Sequence, residues 1–195
     1  MQTMCWVNKL GRFLAIVVLV AWAIEPAIAS TDIYLAKKVD GHVLLQMTDG
    51  ADYDLTLRSD VVGAFYSKDK HLVEGEAYIS LFQVSPSNSV NPVGLCGAGN
   101  EIWLYVYQVA GTSLIEKTKQ LVSSCLRSIS MSSQNSGKVN QDGDFSSVKW
   151  NSHGFSIEWF DNVDFAGRPL QLSNFISREG GFFRQDVLIQ DTSKK

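Results

Sequence analysis

Cysteine, histidine and proline are scarce in this chain, numbering three, three and four among 195 residues. His42, His71 and His153 stand at no ligand spacing to any cysteine, so the sequence offers no metal site, and it carries no cofactor motif. Basic residues fall short as well. Seventeen Lys and Arg against 20 Asp and Glu give a net charge of −3, which argues against a nucleic-acid partner. No G-x-S-x-G elbow, H-E-x-x-H helix or Gly-rich phosphate loop is present, and no segment repeats. At 45% hydrophobic, 11% aromatic and 19% charged, the chain is too apolar and too weakly charged for disorder. Its length suits a single domain.

Apolar runs of membrane length are also missing. The longest, Phe13 to Ile24, follows Lys9 and Arg12 and precedes Glu25-Pro26 and the small-x-small triplet Ala27-Ile28-Ala29. A helix of that length reaches about 18 Å, well short of a hydrocarbon core of about 30 Å. The order of charge, apolar run and small residues predicts a signal peptide over 1–29, cleaved before Ser30, leaving no membrane span. Cleavage removes Lys9, Arg12 and Glu25, so the 17 basic and 20 acidic residues become 15 and 19, a charge of −4. It also removes Cys5. Cys96 and Cys125 then remain in a chain bound for the periplasm or the outside, and such a pair reads as a disulfide.

What the remaining chain has in abundance is alternation at period two, the signature of half-buried strands. Val43, Leu45 and Met47 share one face of 42–48, and Tyr53, Leu55 and Leu57 align after the turn Asp49-Gly50-Ala51-Asp52. A long strand is expected over Val73–Val84, with Ala77, Ile79 and Leu81 opposing Tyr78, Phe82 and Val84. In the last third, Asn151-Ser152-His153-Gly154 reads as a hairpin loop between Phe145–Trp150 and Phe155–Phe160. Leu170, Leu172 and Ile176 then alternate with Gln171 and Ser173, and Arg178-Glu179-Gly180-Gly181 turns the chain again. The fold class that follows is all-β: a single antiparallel sandwich or partly closed barrel of about eight to ten strands, with one short helix as an option. Residues 30–195 form that domain, and the Ser-, Asn- and Gly-rich stretch 130–144 is expected to be a mobile loop, with a short polar tail at the C-terminus.

The optional helix falls on Ser113–Leu126, where Leu114, Thr118, Leu121, Val122 and Cys125 have helical spacing. A hairpin competes with it. Folded at Ala110-Gly111, the chain places Cys96 opposite Cys125, Trp103 opposite Thr118, Tyr105 opposite Glu116 and Tyr107 opposite Leu114.

Chemistry is thinly marked. Asn140-Gln141-Asp142-Gly143-Asp144 starts like a calcium loop, but Phe145 and Asn151 stand where that loop requires Gly and Glu. Glu74 and Glu76 are expected to project together from one strand face, a pattern that is more often a solvated surface than a glycosidase pair. The strand Glu101–Tyr107 rises above this background, being apolar on both faces. Either it is a central strand covered on both sides, or Trp103, Tyr105 and Tyr107 form a contact patch, since such residues supply rigid amphipathic area. Phe182 and Arg184, beside Gly180-Gly181, form a second candidate. Val93 to Asn100 carries three glycines around Cys96, the mark of a tightly bent, pinned loop. Together these features predict a non-enzymatic binding protein, inhibitor- or immunity-like, that recognises a protein or saccharide of the cell envelope. The alternative is a secreted or periplasmic hydrolase acting on envelope polymers.

Overall fold

A computed structural model describes residues 33–36 and 38–190; the expected signal peptide, its cleavage site and the tail beyond 190 lie outside them. Along the chain run β1 (Ile33–Leu35), β2 (Lys38–Val39), β3 (His42–Gln46), β4 (Asp52–Thr56), β5 (Gly63–Ser67), β6 (His71–Val73) and β7 (Glu76–Pro86). There follow β8 (Asn100–Ala110), β9 (Ser113–Ser124), β10 (Ser130–Met131), β11 (Val148–Asn151), β12 (Gly154–Asp161), β13 (Leu170–Arg178) and β14 (Gly181–Leu188). The described residues thus hold 14 strands, more than the alternation alone reveals, because several are only two or three residues long.

All pairings are antiparallel. The largest sheet has the order β1-β5-β7-β8-β9, with β6 also on β7; the second has the order β10-β12-β13-β14, with β11 also on β12; β2-β3-β4 make a third. None of these sheets closes into a barrel, so the sandwich arrangement holds and the barrel does not. The large sheet lies in the middle. From its inner face Tyr78, Phe82 and Val84 of β7, with Ile102, Leu104 and Val106 of β8, pack against Phe155, Ile157, Trp159, Leu170 and Phe175 of the second sheet. From the opposite face Ile79, Leu81, Tyr105 and Tyr107 pack against Val43, Leu45, Met47 and Tyr53 of the small sheet and its turn. β8 is apolar on both sides because both sides are covered.

Several local expectations need correction. The strand expected over Val73–Val84 is broken by a two-residue turn at Glu74-Gly75, both at positive φ (50° and 85°), which suits the twist of a tight hairpin. Glu74 therefore sits in that turn and does not share a strand face with Glu76. In β13 the alternation slips: a bulge between Leu170 and Leu172 turns Ser173 and Phe175 inward and leaves Ile176 37% exposed. One added residue is enough to exchange the faces of everything beyond it.

Ser113–Leu126 is a strand partner and not a helix. Its hairpin turns at Gly111-Thr112, one residue later than the symmetric placement, and β9 carries extra residues at Lys117 and Val122. Tyr107 consequently faces Glu116, Tyr105 faces Lys119, and Trp103 faces Leu121. The two cysteines still meet just beyond the strand ends, with Cα atoms 5.7 Å apart and the disulfide formed. Stretch 130–144 is also less free than its composition implies. Met131 is fully buried in the inner core, Ser133 Oγ donates to the Asp144 carbonyl at 2.6 Å, and Gln134 Nε2 donates to the Asp142 carbonyl at 3.0 Å. Only 135–140 is exposed throughout.

Candidate functional site

The free edge of the large sheet, β9, approaches the free edge of the second, β14. Arg184 of β14 spans the gap, its Nη1 donating to Gln120 Oε1 of β9 at 3.2 Å. Alternation along β14 sets its direction, because Arg184 and Asp186 point to the same side and face Phe175 and Ser173 of β13. Arg184 Nε donates to Asp186 Oδ1 at 2.7 Å, and the same oxygen accepts from Ser173 Oγ at 2.6 Å. Ser173 in turn accepts from Trp159 Nε1 at 2.8 Å. A buried indole, a buried hydroxyl and a carboxylate thus hold the guanidinium in one orientation, each buried polar atom being satisfied.

This bridge floors a cleft of about 460 Å3, within the usual range for binding sites. Its lining includes Trp103 and Leu121, Arg127 and Ile129, and Val163, Asp164 and Phe165 of the β12–β13 loop. Trp103 is half-buried, whereas Phe165 has no cover at all. The loop that presents Phe165 is shaped by Asp164. Its Oδ1 accepts from the backbone N–H groups of Ala166 and Arg168 at 2.8 and 2.9 Å, and its Oδ2 accepts from Arg168 Nε at 2.7 Å. Those hydrogen bonds, from the Arg168 backbone first and its side chain next, hold the Asp164 carboxyl below its ordinary range.

The charges of the cleft are unevenly matched. Asp164 and Asp186 are engaged by Arg168 and Arg184. Lys119 lies 5.8 Å from the Trp103 ring centre, and neither it nor Arg127 makes an ion pair among the described residues. In a chain of net charge −3 the cleft is therefore a local excess of positive charge. The loop before β8 does not line the cleft and is tied by the disulfide to Cys125, two residues before Arg127. The backbone turns at Asn91–Gly94, Gly94–Gly97 and Cys96–Gly99 wind it tightly, and a Cβ on Gly97 would run into the Pro92 carbonyl. Val90, Val93 and Leu95 on this loop are 83–96% exposed, and Leu126, next to Cys125, is 52% exposed.

Of the residues singled out by sequence, the structure brings Trp103 and Arg184 together in this cleft. Tyr105 and Tyr107 are elsewhere. They are 8% and 6% exposed, with β3 and β4 across them, so the expected three-residue aromatic face does not reach the surface and of the three only Trp103 is partly exposed. Burial also raises the Tyr107 hydroxyl well above its ordinary pKa, as its desolvated surroundings require. Phe182 packs edge-on against Tyr78 and Phe155 at 5.2 Å, which makes it part of the inner core. Phe165, Arg127 and Lys119 escape a reading of strand patterns because they lie in loops or on an edge. The one available signal is Phe165, an aromatic set inside the turn-forming run Asp164-Phe165-Ala166-Gly167-Arg168.

Fold and site define a disulfide-bonded antiparallel β-sandwich with a cationic, aromatic-walled cleft between two sheet edges. Comparison with protein-family models, curated proteins and solved structures finds no match to this chain.

Proposed function

We propose that this is a non-enzymatic binding protein of the periplasm or the outside, inhibitor- or immunity-like, that recognises a protein or saccharide partner through the β9–β14 cleft. The observation that carries the reading is the convergence of Trp103, Phe165, Lys119, Arg127 and the prealigned Arg184 on one open cleft. Exposed aromatics and guanidinium groups are the residue types that dominate binding energy at interfaces. The disulfide is compatible with an oxidising compartment, and no helix among the described residues is long and apolar enough to cross a membrane.

Hydrolysis would ask for an acid or base with a pKa moved toward neutrality. The carboxyl that lines the cleft most closely to Arg168, Asp164, is moved the other way and is held by hydrogen bonds. The His153–Glu74 pair, Nδ1 to Oε1 at 2.6 Å, sits on exposed turns and does not line the cleft. Retention of cell-envelope components by immobilised protein tests the proposal. Components held by the wild type are expected to be lost from Trp103→Ala and Arg127→Glu. An unchanged set on both variants overturns the assignment to this cleft.

A further inference from the structure

Resting on that reading, we infer that the cleft takes an acidic segment of a protein partner, with one bulky apolar side chain as its anchor. Charge complementarity comes first. Lys119 and Arg127 reach the cleft without a carboxylate partner among the described residues, while the chain as a whole is acidic. A basic or neutral ligand would leave both cations unmatched, and an acidic one pairs them. Clusters of this kind are a recurring means of recognising acidic motifs.

The apolar lining comes second. Trp103, Leu121, Ile129, Val163 and Phe165 supply apolar lining whose side chains carry no hydrogen-bonding group apart from the indole N–H. The polar groups between them are already engaged with one another: Gln120 with Arg184 and the Leu121 carbonyl, Arg184 with Asp186. A neutral sugar chain would leave the charges of Lys119 and Arg127 unmatched and would set hydroxyls against the apolar lining, which costs affinity. An aromatic or aliphatic side chain meets no such penalty.

Fluorescence polarisation on the purified protein tests this with three labelled hexapeptides of matched length. Each carries one central Phe, flanked by Asp, by Ser or by Lys; an oligogalacturonate of similar negative charge is the fourth probe. The Asp peptide is expected to bind at least about tenfold more tightly than the Ser peptide, a difference of about 1.4 kcal/mol. Its affinity should fall as salt is raised. Trp103→Ala should weaken it by about tenfold or more, and Lys119→Glu with Arg127→Glu should transfer the preference to the Lys peptide. Lys119 and Arg127 are exposed, so the double variant is expected to melt like the wild type, and that melt is measured alongside. Equal binding of Asp and Ser peptides overturns the inference, as does binding of no peptide. Tight oligogalacturonate binding lost in Trp103→Ala also overturns it, while leaving the cleft as the binding site. If instead the cleft variants retain every envelope component, the cleft reading itself falls.

Discussion

His71 makes this fold sensitive to acid in a way that can be isolated by one substitution. Its ring stacks on Trp150 at 4.3 Å and 3°, joining β6 of the large sheet to β11 of the second, and its Nε2 is buried without a partner. Burial moves the imidazole from its ordinary 6.5 down to about 4, against a smaller opposing pull from Asp69. The folded state therefore prefers neutral His71, and the unfolded chain binds the proton first as pH falls. Stability from this residue is complete above the unfolded value and is lost between pH 6.5 and about 4. At about 1.4 kcal/mol per pH unit between the two values, the full loss is roughly 3 kcal/mol, and about 2.5 kcal/mol of it is reached by about pH 4.5. Urea unfolding of the wild type and His71→Phe at about pH 7.5 and 4.5 measures it, because a phenyl ring keeps the stack and cannot be charged. Carboxylates contribute equally to both proteins and cancel. The wild type is expected to lose roughly 2–3 kcal/mol more than the variant. Parallel losses would refute the reasoning.

Three further outcomes can be checked by unfolding measurements. Cys125→Ala opens a loop whose cysteines are 29 positions apart, and the chain-entropy account puts the cost at roughly 3–4 kcal/mol. At about 2–4 °C per kcal/mol this lowers the melting temperature by about 10 °C, and an unchanged melt would show that the bond contributes nothing. Tyr105→Ala should cost about 3–5 kcal/mol in urea unfolding, because the ring is buried beneath the small sheet; a loss below about 0.5 kcal/mol would mean that it is exposed. Gly154→Ala should prevent accumulation of folded protein, since its φ is +150° and a Cβ would collide with the Phe175 carbonyl; a normal circular dichroism spectrum and melt would contradict the strand pairing there.

Where burial alone decides a strand, the sequence displays it. Val43, Leu45 and Met47 alternate and are buried, and the two apolar faces of β8 report two cores. Bulges are another matter. Lys117 and Val122 in β9, and the slip after Leu170, carry no composition signal, yet they decide which residues meet. This is why Glu116 faces Tyr107 and not Tyr105, and why Ser173 points inward to receive the Trp159 N–H. The cleft was half legible. Trp103 and Arg184 stand out as an aromatic and a cation beside flexible or pinned segments, but their meeting depends on two sheet edges that approach each other only in the packed molecule.

The long hairpin also bears on the order in which the molecule assembles. β8 and β9 are joined by a turn of two residues, so their contacts close short loops and do not wait for distant chain. Hairpins of this kind form within microseconds, and this one brings together the strand ends from which the Cys96 and Cys125 segments lead. Once closed, the loop is a preset template: β7 adds to its free side, each face then recruits its own cover, and the slow long-range pairings begin from a chain whose middle is already in register.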